Sequence, residues 1–309
     1  MWLPDLAHVQ GAQTGRMSDW VGSGQYYFDS AVSGGRMSFV LKPGDSLTEI
    51  FAAEMSRFAS AAIETSVGIA RPGMPKSTAW LFIQTYYSAF YAAHSILRSV
   101  GISATNFRRV DCQKADLVAE LLGFSEEPIN AAQFKCEYRS VSQRLDCNKA
   151  SGKGIHEQFW RIFDGFLQSA SSNVLQNDAL PVEDTQDIFY RLDQIRSVLR
   201  SHGYNDGNWL SSIRNEVTYT QQHETWFPYG RSRKDCDMLF KLQKEWRNEP
   251  EKIHLRTDAS DDPAKFVIAC AFLVSLSISI VKDMGSRGIP RKSFLRSGAL
   301  QLLNQTSER

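Results

Sequence analysis

The segment from Ile213 to His223 holds the residue types best suited to phosphate chemistry. Arg214 is followed directly by Asn215, and Tyr219 and His223 come later in the same segment. An arginine guanidinium can hold a phosphate with two parallel hydrogen bonds and stabilise added negative charge. A histidine, whose ordinary pKa lies near neutrality, can accept and donate protons. Together these side chains suit a reaction at a phosphate that needs no metal ion.

Three short pieces of the chain resemble the HEPN superfamily, helical proteins of which many are RNases of prokaryotic toxin–antitoxin and anti-phage systems. The family signature is an arginine, four to six residues and a histidine, often with an asparagine after the arginine. Arg214-Asn215 is similar to its first half. The segment 77–102, which contains Tyr-Tyr-Ser-Ala-Phe, resembles an early helix of the family, and Gly152–Trp160 resembles a helix start. The resemblance covers residues 77–225, with insertions.

The resemblance implies roles for the two residues that match. In a HEPN RNase the 2′-oxygen of RNA attacks the adjacent phosphate, so Arg214 would bind the scissile phosphate. Asn215 would orient that phosphate or hold Arg214. The resemblance also implies a homodimer, in which two motif helices form a groove for RNA. It implies neither a metal ion nor another cofactor, and it suggests an antitoxin or a defence-system protein as a partner.

The sequence departs from the family signature at the histidine. The fifth residue after Arg214 is Tyr219, and His223 comes nine residues after Arg214. Nine residues of an α-helix rise about 13.5 Å, so both ends reach one phosphate only if the helix breaks near Gln221. A tyrosine with an ordinary pKa of about 10 is a poor base at neutral pH. The catalytic set predicted from the resemblance is therefore Arg214, Asn215, Tyr219 and His223.

Three interpretations of this departure stay open. Tyr219 replaces the family histidine, or His223 or another histidine, such as His156 or His202, supplies the proton transfer. In the third interpretation the site does not cleave, and Arg214 binds RNA or supports its helix. Tyr219 is also a candidate modification site, because some family toxins are silenced when a partner nucleotidyltransferase modifies a motif tyrosine.

Two functions follow from these interpretations. The first is a metal-independent endoribonuclease that acts in a toxin–antitoxin or anti-phage module. The alternative is a non-catalytic HEPN-like subunit that binds RNA or a partner protein. An arginine–asparagine pair that only forms a salt bridge or a helix cap would support neither function.

A basic and aromatic segment follows the motif. It runs from Trp226 to Lys234 and reads WFPYGRSRK. Aromatic rings that stack on bases, next to cations that contact phosphates, suit single-stranded RNA. The predicted RNA-binding residues are Tyr229, Arg231, Arg233 and Lys234. A solvated loop anchored by its aromatic side chains explains the same composition.

Helical periodicity dominates the chain after residue 45 and predicts the elements that hold these residues. Predicted helices cover 46–68, 77–100, 115–122, 155–170, 185 or 187 to 199, 235–247 and 263–283, and a further helix begins at Trp209 and runs into Trp226-Phe227-Pro228, where proline should end it. Residues 1–45 are rich in glycine and indicate irregular chain with a hairpin through Ser33-Gly34-Gly35. The predicted fold class is all-α: a HEPN-like bundle over 46–309, with its core at 77–225, an irregular N-terminal segment and a C-terminal helical extension.

Composition limits the class of protein and its location. The 309 residues carry 35 Lys and Arg against 34 Asp and Glu, so the net charge of +1 argues against a protein that coats polyanions. The five cysteines form no CxxC pair, and the N-terminus lacks the pattern of a signal peptide, which indicates a cytoplasmic protein. The apolar run Phe266–Val281 is shorter than the roughly 20 residues of a membrane span. It predicts a buried core helix and no membrane contact.

Overall fold

The computed structural model describes residues 2–71, 77–228, 230, 232–257, 261–289 and 291–307. The chain divides into two compact units. Unit 1 comprises Met1–Ser60, His94–Gln158 and Ile280–Arg309, and unit 2 comprises Ala61–Ala93 and Phe159–Ser279.

The described residues form α-helices and β-strands. The helices are α1 (Met17–Ser23), α2 (Thr48–Gly68), α3 (Ala79–Ser99), α4 (Arg109–Leu121), α5 (Ile155–Leu175), α6 (Val182–Leu199), α7 (Trp209–Tyr219), α8 (Ser232–Gln243), α9 (Asp262–Arg287) and α10 (Ala299–Ser307). The strands, all in unit 1, are β1 (Tyr26–Phe28), β2 (Arg36–Leu41), β3 (Ile102–Phe107), β4 (Ala132–Arg139) and β5 (Arg144–Lys149).

Unit 1 is built on a five-stranded antiparallel sheet. Its strand order is β1-β2-β5-β4-β3, so β5 is the central strand. Leu145 of β5 lies opposite Phe39 of β2 on one side and Tyr138 of β4 on the other. The predicted all-α fold class is therefore wrong, because the chain combines this sheet with its helices.

Strands β1 and β2 pair antiparallel on either side of Ser33-Gly34-Gly35, where a hairpin was predicted. Strands β3, β4 and β5 escaped prediction because their apolar residues are few and are interrupted by polar ones. In β4, buried Phe134, Cys136 and Tyr138 alternate with more exposed residues such as Lys135 and Glu137. That alternation is the signature of a half-buried strand. It is short and interrupted by charges, so the region from 102 to 152 resembled irregular chain.

Unit 1 also contains a buried ion pair. The Arg98 Nε of α3 donates to Glu54 Oε2 of α2 at 3.0 Å, and both side chains are buried. The other carboxylate oxygen of Glu54 accepts from the backbone N–H of Met17 at 2.9 Å. Arg98 Nη1 lies 2.7 Å from His94 Nδ1, and the His94 ring stacks on Phe58. Both charges are thus compensated, as burial of ions requires.

Unit 2 has an aromatic core. Phe90 of α3 packs edge-to-face on Phe159 of α5, with 4.6 Å between ring centroids. Phe82 of α3 stacks on Phe266 of α9 at 5.3 Å. Edge-to-face and offset stacked rings are the favoured aromatic arrangements. These contacts place the aromatic face of α3 against two other helices of the unit.

A buried carboxylate joins two further helices of unit 2. Asp164 of α5 accepts hydrogen bonds from Arg196 Nε at 3.0 Å and from Arg200 Nε and Nη2 at 3.1 and 3.0 Å. Arg196 lies in the last turn of α6, and Arg200 directly follows the helix. Gly207 packs closely against Asp164. A Cβ at residue 207 would approach Asp164 Cβ to 2.7 Å.

The apolar helix α9 is long and apolar enough to cross a membrane by length and composition. In the structure, 89% of the most apolar 18-residue stretch of this helix is buried inside the protein. The burial predicted for Phe266–Val281 is therefore confirmed.

Candidate RNA-binding site

Arg214 lies in the middle of α7 and is buried. Its side chain is 6% exposed, and the neighbouring Ile213 and Val217 are buried core residues. Among the described residues, no carboxylate forms an ion pair with Arg214. Its buried Nε also has no hydrogen-bond partner within that part of the chain. Arg214 thus differs from Arg98, whose buried charge meets a carboxylate.

Tyrosine rings surround the Arg214 guanidinium. Its Cζ lies 5.2 Å from the ring centroid of Tyr86, 5.9 Å from that of Tyr87 and 6.0 Å from that of Tyr219. Cations within about 6 Å of an aromatic centroid are attracted by the ring quadrupole. The rings therefore replace part of the solvation that burial removes, but they leave the positive charge uncompensated.

The hydroxyl of Tyr86 links Arg214 to the rest of unit 2. Trp160 Nε1 of α5 donates to this oxygen at 3.0 Å, and the side chains of Ser211 and Arg214 also hydrogen-bond to it. Burial raises the pKa of Tyr86, and hydrogen bonding from Trp160 and the Arg214 charge oppose that shift. The phenol stays protonated at neutral pH, so it holds Arg214 and is no base.

The chain turns sharply after α7 and takes His223 away from Arg214. Gln221, His223 and Glu224 all have positive φ, a conformation that few residues other than glycine adopt. His223 Nε2 lies 2.7 Å from Glu216 Oε2. Glu216 is two residues after Arg214, about 200° around an α-helix, so it points to the opposite side of α7. The turn thus pairs His223 with Glu216, on the side of α7 opposite Arg214.

The Glu216 carboxylate is itself part of a hydrogen-bond chain. Its other oxygen accepts from Ser212 Oγ at 2.8 Å, and Ser212 Oγ lies 2.5 Å from the Tyr204 hydroxyl. Trp226 Nε1 closes the turn by donating to Val217 O at 2.7 Å. These contacts hold the His223 side chain against Glu216, away from Arg214.

The remaining motif residues and histidines have different surroundings. Asn215 is exposed, and Tyr219 is 72% exposed at the last residue of α7. His202 Nε2 lies 2.8 Å from Asp262 Oδ1. His156 belongs to unit 1, whereas Arg214 belongs to unit 2. Of the predicted catalytic side chains, the structure therefore brings Arg214 and Tyr219 together and holds His223 elsewhere.

The predicted basic and aromatic segment is described only in part. Phe227 is 80% exposed, and Lys234 is exposed at the start of α8. Tyr229 and Arg231 lie outside the described residues, as does the side chain of Arg233. The described part thus offers one exposed aromatic ring and one exposed cation.

Trp80 is a surface residue that the sequence did not distinguish from core. It lies at the start of α3, is 60% exposed and contacts Trp226 with 6.0 Å between ring centroids. Tyr87, seven residues later, is half-buried beside Arg214. A helix that is apolar all round predicts burial of every face, so no local signal marked Trp80 as exposed.

No histidine–cysteine–carboxylate group suited to a metal ion occurs among the described residues. The five cysteines are buried. Comparisons with protein-family models, curated proteins and solved structures found no match to this chain.

Proposed function

We propose that this chain is a cytoplasmic, HEPN-like protein that binds single-stranded RNA at Arg214 without cleaving it. The phosphate of the RNA backbone binds the Arg214 guanidinium. The exposed Tyr219 ring stacks on a base and moves aside, which uncovers the cation. Trp80 and Phe227 offer further stacking surfaces on the same unit.

One observation carries this proposal: Arg214 is buried among tyrosines with no carboxylate partner in the described part of the chain. A buried charge without a counter-ion is costly. An anionic ligand would supply the missing negative charge. The convergence of Tyr86, Trp160 and Arg214, one from each of the three pieces that resemble HEPN proteins, supports the same site.

The position of His223 favours binding over cleavage. A general acid or base must reach the proton that it transfers. His223 is held by Glu216, which projects from the side of α7 opposite Arg214. The predicted role of His223 as the family histidine therefore lacks geometric support.

Metal-independent RNA cleavage is the second candidate function. Tyr219 favours it, since its exposed ring lies 6.0 Å from the Arg214 guanidinium and its hydroxyl can reach the same phosphate. We further propose that the protein is a homodimer and that its partner is a protein of a toxin–antitoxin or anti-phage module. A second copy would bring two Arg214 sites to one RNA strand.

Fluorescence anisotropy with a labelled single-stranded RNA, in the presence of EDTA, tests the proposal. We expect the wild-type protein to bind RNA and leave it intact on a gel. Arg214→Gln should weaken binding more than tenfold. Arg71→Gln is the matched control, because Arg71 is an exposed cation of the same unit, paired with Asp237. It should bind like the wild type.

Tyr219 variants keep the test valid if Arg214→Gln fails to fold. Stacking on an aromatic ring contributes about 1–3 kcal/mol per base, so Tyr219→Ala should weaken binding about 5- to 150-fold. Tyr219→Phe keeps the ring and should bind normally. If the wild type cleaves RNA with EDTA present and Tyr219→Phe does not, cleavage replaces binding as the function. Absence of RNA binding by the folded wild type refutes both candidates.

A further inference from the structure

Unit 1 contains an open cleft of about 1130 Å³. The N-terminal residues 10–12, Gly285 near the end of α9, the segment 291–297 and α10 form its walls. Small-molecule sites commonly enclose about 300–1,000 Å³. The cleft is therefore large enough for a ligand of nucleotide size, and much larger than one phosphate ion needs.

The charge of this cleft is wholly positive. Arg291, Lys292 and Arg296 line it, and no aspartate or glutamate does among the residues that the structure describes. All three side chains are exposed, and none forms an ion pair within that part of the chain. Arg287 differs, since its Nε lies 2.9 Å from Asp283 Oδ2. In a chain of net charge +1, three cations without carboxylate partners among the described residues make this cleft locally positive, which would attract an anion.

Backbone hydrogen bonds hold the chain segment that carries these cations. The N–H of Gly11 donates to Lys292 O at 2.9 Å, and the N–H of Phe294 donates to Val9 O at 3.2 Å. Phe294 and Leu295 are buried, which anchors the segment between Lys292 and Arg296. A ligand that binds a fixed segment loses less free energy to ordering of the protein.

The other walls of the cleft suit the nucleoside part of a ligand. Side-chain amides, which carry both donors and an acceptor, come from Gln10, Gln301, Asn304 and Gln305. Leu300 supplies an apolar surface and packs against Gly285, where a Cβ would approach Leu300 Cδ1 to 2.8 Å. Amides can bind the edge of a base, while an apolar wall can pack against its face.

We propose that this cleft binds a nucleotide carrying two or more phosphates. The phosphates bind Arg291, Lys292 and Arg296, and the base lies against Leu300 among the amide side chains. This site belongs to unit 1 and does not depend on RNA binding at Arg214.

Isothermal titration calorimetry of the full chain tests the proposal with adenosine and guanosine triphosphates, adenosine monophosphate and inorganic triphosphate. We expect at least one nucleoside triphosphate to bind more than tenfold more tightly than adenosine monophosphate, and more tightly than inorganic triphosphate. Arg296→Gln and Lys292→Gln should each weaken that binding about tenfold. Arg287→Gln removes the same charge from a paired arginine outside the cleft, so it should bind like the wild type.

Three results would overturn the proposal. The first is that neither nucleoside triphosphate binds the folded protein. The second is that inorganic triphosphate binds as tightly as the nucleoside triphosphates, which would show that the base makes no contribution. Equal weakening by Arg287→Gln and Arg296→Gln would reveal only a general effect of charge. All of these variants carry exposed substitutions, so circular dichroism should show an unchanged fold.

Discussion

Two buried arginines of this protein have opposite surroundings. Arg98 meets the Glu54 carboxylate at 3.0 Å, and its positive charge is compensated within unit 1. Arg214 meets only aromatic rings and the Tyr86 hydroxyl among the described residues. The Arg98 arrangement is typical of a structural ion pair. The Arg214 arrangement is typical of a site that binds an anionic ligand. The contrast between the two explains why Arg214 is the better candidate for function.

The residue scale also yields a prediction about pH, because the His94 ring is buried beside Arg98. Burial, then the Arg98 charge, then His156 lower the pKa of His94 well below its ordinary value of 6.5. Arginine can only donate, so His94 Nδ1 accepts and the ring is neutral. Glu54 faces the same cluster, but it is bound to Arg98 and Met17.

The sign of the pH dependence follows from this lowered pKa. Below about pH 6.5 the unfolded chain binds a proton at His94 that the folded chain does not, so stability falls as the pH falls. The loss from this group approaches about 1.4 kcal/mol per pH unit. His94→Gln should flatten the change in unfolding free energy between pH 7 and pH 5, measured by urea denaturation. His254→Gln, at an exposed histidine, should keep the wild-type slope, and equal slopes for all three proteins would contradict this assignment.

At the scale of elements, the turn between α6 and α7 has one glycine that packing requires. Gly207 has φ of 72°, and a Cβ there would approach Asp164 Cβ to 2.7 Å. Gly203 has φ of 83°, but a Cβ added to it would meet no atom within 4 Å among the described residues. At both positions glycine avoids the strain of an L-residue at positive φ. Only at Gly207 does it also avoid a steric clash with Asp164.

Alanine variants separate the two effects. Gly203→Ala should destabilise the protein by about 1 kcal/mol, the cost of an L-residue at positive φ. Gly207→Ala should cost about 2–4 kcal/mol, because overpacking adds about 1–3 kcal/mol. Chemical denaturation of both variants measures the difference, and equal destabilisation would show that Asp164 moves without cost.

The central strand β5 gives a second prediction at this scale. Leu145 is fully buried between Phe39 and Tyr138 of the neighbouring strands. Leu145→Ala should destabilise the protein by about 2–5 kcal/mol through the lost contacts and the cavity. Val141, in the turn before β5, is fully exposed, and Val141→Ala should change stability by less than about 0.5 kcal/mol. A small loss at Leu145 would mean that the sheet contributes little to the core.

At the scale of the whole molecule, the near-zero net charge predicts a weak dependence of RNA binding on salt. Each phosphate contact to a single strand contributes a slope of about −0.7 in log K against log salt. Two contacts, to Arg214 and Lys234, would give a slope of about −1.4. Anisotropy titrations over a range of salt concentrations measure it. A much steeper slope would indicate broad electrostatic binding elsewhere on the surface.

Sequence patterns determined the long helices and the candidate motif, because both are local. The long helices α2, α3, α5 and α9 carry apolar residues at helical spacing over several turns, and they occur where that spacing predicted them. The predicted phosphate binding at Arg214 rests on the chemistry of an arginine side chain and on the resemblance of Arg214-Asn215 to the HEPN signature.

Tertiary structure decided the sheet and the surroundings of the motif. The short strands become recognisable when paired, as in β4 and β5, where the buried Cys136 and Cys147 lie opposite each other. The burial of Arg214 depends on Tyr86, which is more than a hundred residues away in the chain. Local periodicity reports which residues share a face of an element, but the neighbours of that face, and hence the compensation of a charge, depend on packing between distant segments.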